Sequence, residues 1–150
     1  MTRSERIAPV RKVLEDKEQA QARKLAAAQQ AVSAAEQRLE ELRRYQRDYA
    51  SGFDRQVAQG ATAHTLQDYR VFLVRLEDAV QQQQRVVENL RVEMAMQSAH
   101  WQAAARQSKG LETVVQGWQR EERRLADRRD QAATDERALT MMLRKAGVTT

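Results

Sequence analysis

Apolar residues recur along this chain in alternating steps of three and four, the spacing that lines one stripe of a helix and seats it against a second helix. The first run places Ile7, Leu14, Leu25, Ala28, Val32, Ala35, Leu39, Leu42, Tyr49 and Phe53 on a common stripe, interrupted by Glu18, Gln21 and Gln46. The second places Tyr69, Leu73, Leu76, Val80, Val87, Leu90, Met94, Trp101, Ala104, Leu111, Val115, Trp118, Leu125, Ala132, Leu139 and Leu143 on one heptad register. Its polar members are Gln83, Gln97, Ser108, Glu122, Arg129 and Glu136. Between the runs, Val57–Leu66 breaks both registers. There Gly60 can take the left-handed conformation that closes a helix, and Thr62 or Thr65 can cap the next one.

The pattern predicts an all-α chain: a helix over about 5–57, a turn at about 58–64 and a longer helix over about 65–145, folded back as an antiparallel coiled-coil hairpin in a single domain. At 1.5 Å per residue the arms would measure roughly 75 and 120 Å, so the second must outrun the first. With the turn centred near Gly60, facing residues should sum to about 120, which sets Tyr49 opposite Phe72 and Ile7 near Thr113. Everything after about Trp118 then overhangs. The overhang carries Arg120, Arg123, Arg124, Arg128, Arg129 and Arg137 beside Glu121, Glu122, Asp127, Asp130, Asp135 and Glu136, and a partner is expected to order it. Gly110 and Gly117 precede it, each weakening a helix interior by roughly 1 kcal/mol relative to Ala, so local bending is expected there.

Composition agrees with long helices. The 150 residues include one Pro and five Gly, and Ala, Gln, Glu, Arg and Leu dominate. A net charge of +5 raises the question of nucleic acid, but the 26 basic residues are interleaved with 21 acidic ones and no recognition motif is present. No nucleic-acid partner is therefore expected. Cysteine is absent, which excludes disulfides and thiolate chemistry. The segment Met1–Val10 lacks the apolar stretch of a signal peptide, and no run approaches the roughly 18 apolar residues of a membrane span. A cytoplasmic protein with no direct membrane insertion is expected.

Nothing in the sequence points to catalysis or a cofactor. His64 and His100 would lie on distant stretches of the hairpin and cannot form a metal site together. No phosphate loop, nucleophile elbow or Gly-rich βα turn is present. The informative positions lie just off the seam instead. Taking Leu42 and Tyr49 as one core position of the heptad, Tyr45 flanks the seam on one arm, and Phe72 and Ala79 flank it on the other. Like flanks face each other in an antiparallel pair, so Tyr45, Phe72 and Ala79 should meet on one side near the turn, bordered by Leu42, Tyr49 and Leu76. Grouped aromatics on a rigid surface favour a docking patch over a merely widened seam.

The segments Leu39–Tyr49, with its Tyr-Gln-x-x-Tyr element, Gly60-Ala-Thr62 at the turn and Tyr69–Ala79, with its Tyr-x-x-Phe-x-x-x-Leu-Glu element, resemble the FliJ family of flagellar export proteins over roughly residues 36–83. The resemblance implies a non-enzymatic component of the flagellar type III export apparatus, an antiparallel coiled coil like the central stalk of rotary ATP synthases. It implies binding within the ring of the export ATPase FliI, assistance to that ring's assembly, contact with the membrane export-gate protein FlhA, and dealings with export chaperones. A peripheral association with the membrane export apparatus follows, and a monomer when free. The injectisome stalk of the YscO type is the close relative.

The resemblance maps the gate-facing patch onto Leu42, Tyr45, Tyr49, Phe72, Leu76 and Ala79. At its edge Arg38 stands where a Gln is usual and Gln83 where a His is usual. The ATPase-binding part falls at the end that holds both termini, with Arg120, Arg123, Arg124 and Arg128 as candidates. The mechanism so implied is a rod whose terminal end sits in the ring while the patch near the turn engages the gate. From a different class, the alternative is a generic structural coiled coil or a nucleoid-associated protein. Solution mass and DNA retention separate these from the export reading.

Overall fold

The computed structural model describes residues 1–147, and among these it is helical with no strand. A short helix α1 (Arg3–Arg6) leads into α2 (Ala8–Ala58), and α3 (Ala63–Lys145) returns antiparallel to it. The two long helices pack against each other as a helical hairpin with the second longer, as the hydrophobic stripes predict.

The helix ends follow from local chemistry. At the start, the Glu5 N–H donates to Thr2 Oγ1 while the Thr2 N–H donates to the Glu5 carboxylate, a capping box that satisfies donors at both ends of the first turn. Helicity thus begins two residues before the expected Glu5, with a break at Ile7 ahead of Pro9, whose ring tolerates only a first turn. At the other end of α2, Gly60 takes φ +77°, the Ala61 N–H reaches back to the Gln56 carbonyl at 3.0 Å and the Gly60 N–H to the Val57 carbonyl at 3.2 Å. Both bonds of a Schellman motif are present, and only glycine enters that conformation without a side-chain penalty. Of the two possible caps for α3, Thr62 is the one used: its Oγ1 accepts from the Thr65 N–H at 3.2 Å. The helix runs on through Gly110 and Gly117 without interruption.

The described chain forms two compact units. The turn unit, Gln19–Ala103, has its core in Ala35, Leu39 and Leu42 of α2 against Val80 and Val87 of α3, with Ala79 and Leu90 packed on them. Burying a Leu or Val of this kind contributes roughly 1.5–3 kcal/mol. Polar groups flank that core. Gln83 donates its amide to the Ala35 carbonyl at 3.0 Å, Arg91 pairs with Glu36 at 2.8 Å, and Gln46 bonds Glu77.

Among the described residues, the terminal unit combines Met1–Glu18 with the chain from Ala104 to Gly147. Val115 at 1% exposure and Ala104 at 3% are its most buried residues. Arg11 meets Glu112 at 2.6 Å, Arg3 meets Glu121 at 3.1 Å, and Ser4 meets Glu122. These contacts put Arg11 level with Glu112, so Ile7 lies about one helical turn further along α3 than Thr113. An offset that is small near the turn accumulates when a register is extrapolated over fifty residues. The unpaired part of α3 accordingly begins after Glu122 and not at Trp118.

Candidate partner-docking surfaces

In the turn unit, the residues singled out from the sequence divide into a buried part and an exposed part. Leu42 and Leu76 are buried at 8% and 7%, and Ala79 is half-buried against the core. Tyr49 and Phe72 meet across the two helices with ring centroids 4.2 Å apart and planes tilted by 34°. Each remains more than a third exposed, and Tyr45, one helical turn before Tyr49, is 52% exposed. Among the described residues no other ring packs on Tyr45. The edge residues behave differently from one another. Arg38 lies exposed and pairs with Glu41 at 3.3 Å, whereas Gln83 is half-buried, its amide nitrogen held by the α2 backbone.

The aromatic cluster extends towards the turn. Tyr69 lies 6.0 Å from Tyr49 and 6.4 Å from Phe53, and Arg70 stands 5.8 Å over the Phe53 ring. Tyr69 fits because residue 52 is glycine: a Cβ there would come within 3.2 Å of Tyr69 Cε1. Gly52 is the residue that sequence reasoning missed. The sequence held no signal that singled it out, since Gly110 and Gly117 are equally isolated inside a helical pattern and have open space where a Cβ would go.

In the terminal unit, Arg120, Arg123, Arg124 and Arg128 are all exposed, and among the described residues none of the four guanidinium groups is paired. Trp118 is half-buried beneath Arg3, whose guanidinium carbon lies 5.1 Å from the ring centroid. Ser4 donates its hydroxyl to Glu122 Oε2 at 2.7 Å and its N–H to Oε1 at 3.3 Å. Those bonds, the hydroxyl's first, hold the Glu122 carboxyl below its usual range, with Arg3 adding to the effect and partial desolvation opposing it. Past this contact Leu125, Leu139 and Leu143 stand exposed.

On both surfaces side chains project from exposed helix faces, an arrangement that suits contact with another protein. His64 sits in the first turn of α3 beside Asp68, and His100 lies exposed well along the same helix.

Compared with known protein families, the chain matches the one described as Flagellar FliJ protein over residues 3–147. It belongs to the FliJ family. No curated protein and no solved structure matches it. Membership in the FliJ family makes the chain a protein associated with flagellar, type III-type export and a structural component in kind. Among the described residues no helix is long and apolar enough to cross a membrane.

Proposed function

We propose that this FliJ-family chain works in the cytoplasm as a stalk-like adaptor of flagellar protein export, peripherally associated with the membrane apparatus. The terminal unit docks into the ring of the export ATPase FliI and assists its assembly, with Arg120, Arg123, Arg124 and Arg128 supplying contacts. The turn unit engages the export gate FlhA through Leu42, Tyr45, Tyr49, Phe72, Leu76 and Ala79, with Arg38 and Gln83 at the edge, and passes on chaperones and their cargo. The observation that carries the reading is the Tyr49–Phe72 pair: two partly exposed rings, one from each helix, held at 4.2 Å. Aromatic groups fixed in place lose little entropy on binding, which is why such clusters dominate protein interfaces. The unpaired arginines support an electrostatic, salt-sensitive contact at the other surface.

The test combines size-exclusion chromatography with ATP hydrolysis by the cognate ATPase, with the full chain and with a version ending at Gln116. Ring formation and hydrolysis promoted by the full chain alone support the docking role of the terminal unit. Indifference to both removes the ring role and leaves the gate patch to be tested by itself.

A further inference from the structure

The heptad of α3 continues past the point where its packing partner stops. Up to Glu122 the seam residues of the terminal unit face α1 and the start of α2, and the last contacts are those of Arg3 and Ser4 with Glu121 and Glu122. The same register then runs on through Leu125, Arg129, Ala132, Glu136, Leu139 and Leu143. Leu125, Leu139 and Leu143 are 44%, 58% and 46% exposed. A stripe that keeps the spacing of an established seam is shaped for another helix. We propose that the segment of α3 after Glu122 pairs antiparallel with the same segment of a second copy of this chain.

The polar members of the stripe select the second copy and its direction. A parallel pair would stack Arg129 on Arg129 and Glu136 on Glu136, like charges in the core of the seam. An antiparallel pair centred near Thr134 sets Leu125 against Leu143 of the other copy at both ends. It places Arg129 beside Leu139 and Glu136 beside Ala132, so each Arg129 lies one layer from a Glu136 of opposite charge. The flanking Met142, 68% exposed, then falls opposite the aliphatic stem of Arg128. Short length and mixed polarity make the association weak and reversible, so dilute chain stays monomeric and the dimer forms with concentration. This inference does not depend on either partner proposed above, because it concerns the chain alone.

The chain has no cysteine, so introduced thiols report cleanly. Sedimentation of the full chain over roughly a hundredfold range of concentration should show the mass rising from monomer towards dimer. Under mild oxidation, copies carrying Leu125→Cys mixed with copies carrying Leu143→Cys should form an interchain disulfide, while Leu139→Cys alone should not. Reversing one charge with Arg129→Glu should weaken the association by an amount on the order of tenfold, from two repelling pairs per dimer. Adding Glu136→Arg should restore it. A constant monomer mass overturns the proposal, as does self-linking of Leu139→Cys, which demands a parallel pair. Failure of the charge swap to rescue overturns the assigned register. All the altered side chains are outside the packed seam, so circular dichroism should report unchanged helicity.

Discussion

The rings of Tyr49 and Phe72 meet at 4.2 Å, one from each long helix of the turn unit, while Leu42 and Leu76 of the same helices are buried. The contact ties the exposed aromatics of the two helices to each other, because Phe72 cannot swing away without uncovering Tyr49. Tyr45 has no such tie. Two residues that look equivalent on the surface thus have different structural duties, and substitution separates them.

Tyr45→Ala should change stability by no more than about 0.5 kcal/mol, as for other exposed positions. Phe72→Ala should cost about 1–2 kcal/mol from lost ring contact and burial. Both should weaken capture of the export gate in a pull-down, while the circular dichroism spectrum at 20 °C stays helical. Melting of the helices by Tyr45→Ala would make that residue structural and remove it from the docking surface.

Much of this geometry was legible in the sequence because the heptad and the turn chemistry agree. Gly60 and Thr62 close and open helices where the pattern changes register, and that fixes Tyr49 opposite Phe72 a short distance away. Legibility fell with distance from the turn: Ile7 lies about one helical turn away from its expected level, since facing partners far from the anchor are chosen by local pairs such as Arg11–Glu112. Gly52 escaped notice for another reason. A heptad stripe scores apolar side chains, and the role of Gly52 is to have none where Tyr69 lies.

Glycine substitutions turn that contrast into numbers. Gly110 has open space where a Cβ would go, so Gly110→Ala should gain the ordinary helix-propensity difference of about 1 kcal/mol. Gly52→Ala gains the same propensity but must push the Tyr69 ring aside from 3.2 Å. It should therefore yield less than half the gain of Gly110→Ala, with a changed tyrosine fluorescence. Equal gains in thermal unfolding would mean that Tyr69 does not rest on Gly52.

Acid should loosen the terminal unit through Glu122. Its carboxyl titrates below the usual range in the folded chain, chiefly because the Ser4 hydroxyl donates to it, so the folded state binds this proton less readily than the unfolded one. The stabilisation is fully present above the ordinary glutamate pKa of about 4.3 and is lost as pH falls through the depressed folded value. Fluorescence of Trp118, beside Arg3 of the same contact, should follow that loss. Ser4→Ala should melt earlier than the parent at neutral pH and converge with it in acid. A difference that persists unchanged at low pH would assign the effect of Ser4 to the helix start instead.

The polar layers of the seam make the last prediction. Gln83 and Gln97 are both half-buried on α3, but their surroundings differ. Gln83 donates to the Ala35 carbonyl across the seam, whereas Gln97 donates to Glu93 on its own helix and its carbonyl oxygen is buried without a hydrogen-bond partner. A buried unmatched acceptor costs on the order of 1–3 kcal/mol, and a satisfied one costs little net. Gln97→Met, close in volume and apolar, should raise the urea midpoint by the equivalent of about 1–2 kcal/mol, while Gln83→Met should leave it nearly unchanged. Equal shifts would point to an ordered water completing the Gln97 bond. Removing both glutamines takes away the Gln83–Ala35 hydrogen bond, one of the polar cross-helix contacts that select a single packing of the seam, while Arg91–Glu36 and Gln46–Glu77 remain. The double substitution should therefore be the more stable protein by denaturation and the less uniquely packed one by side-chain dispersion in nuclear magnetic resonance.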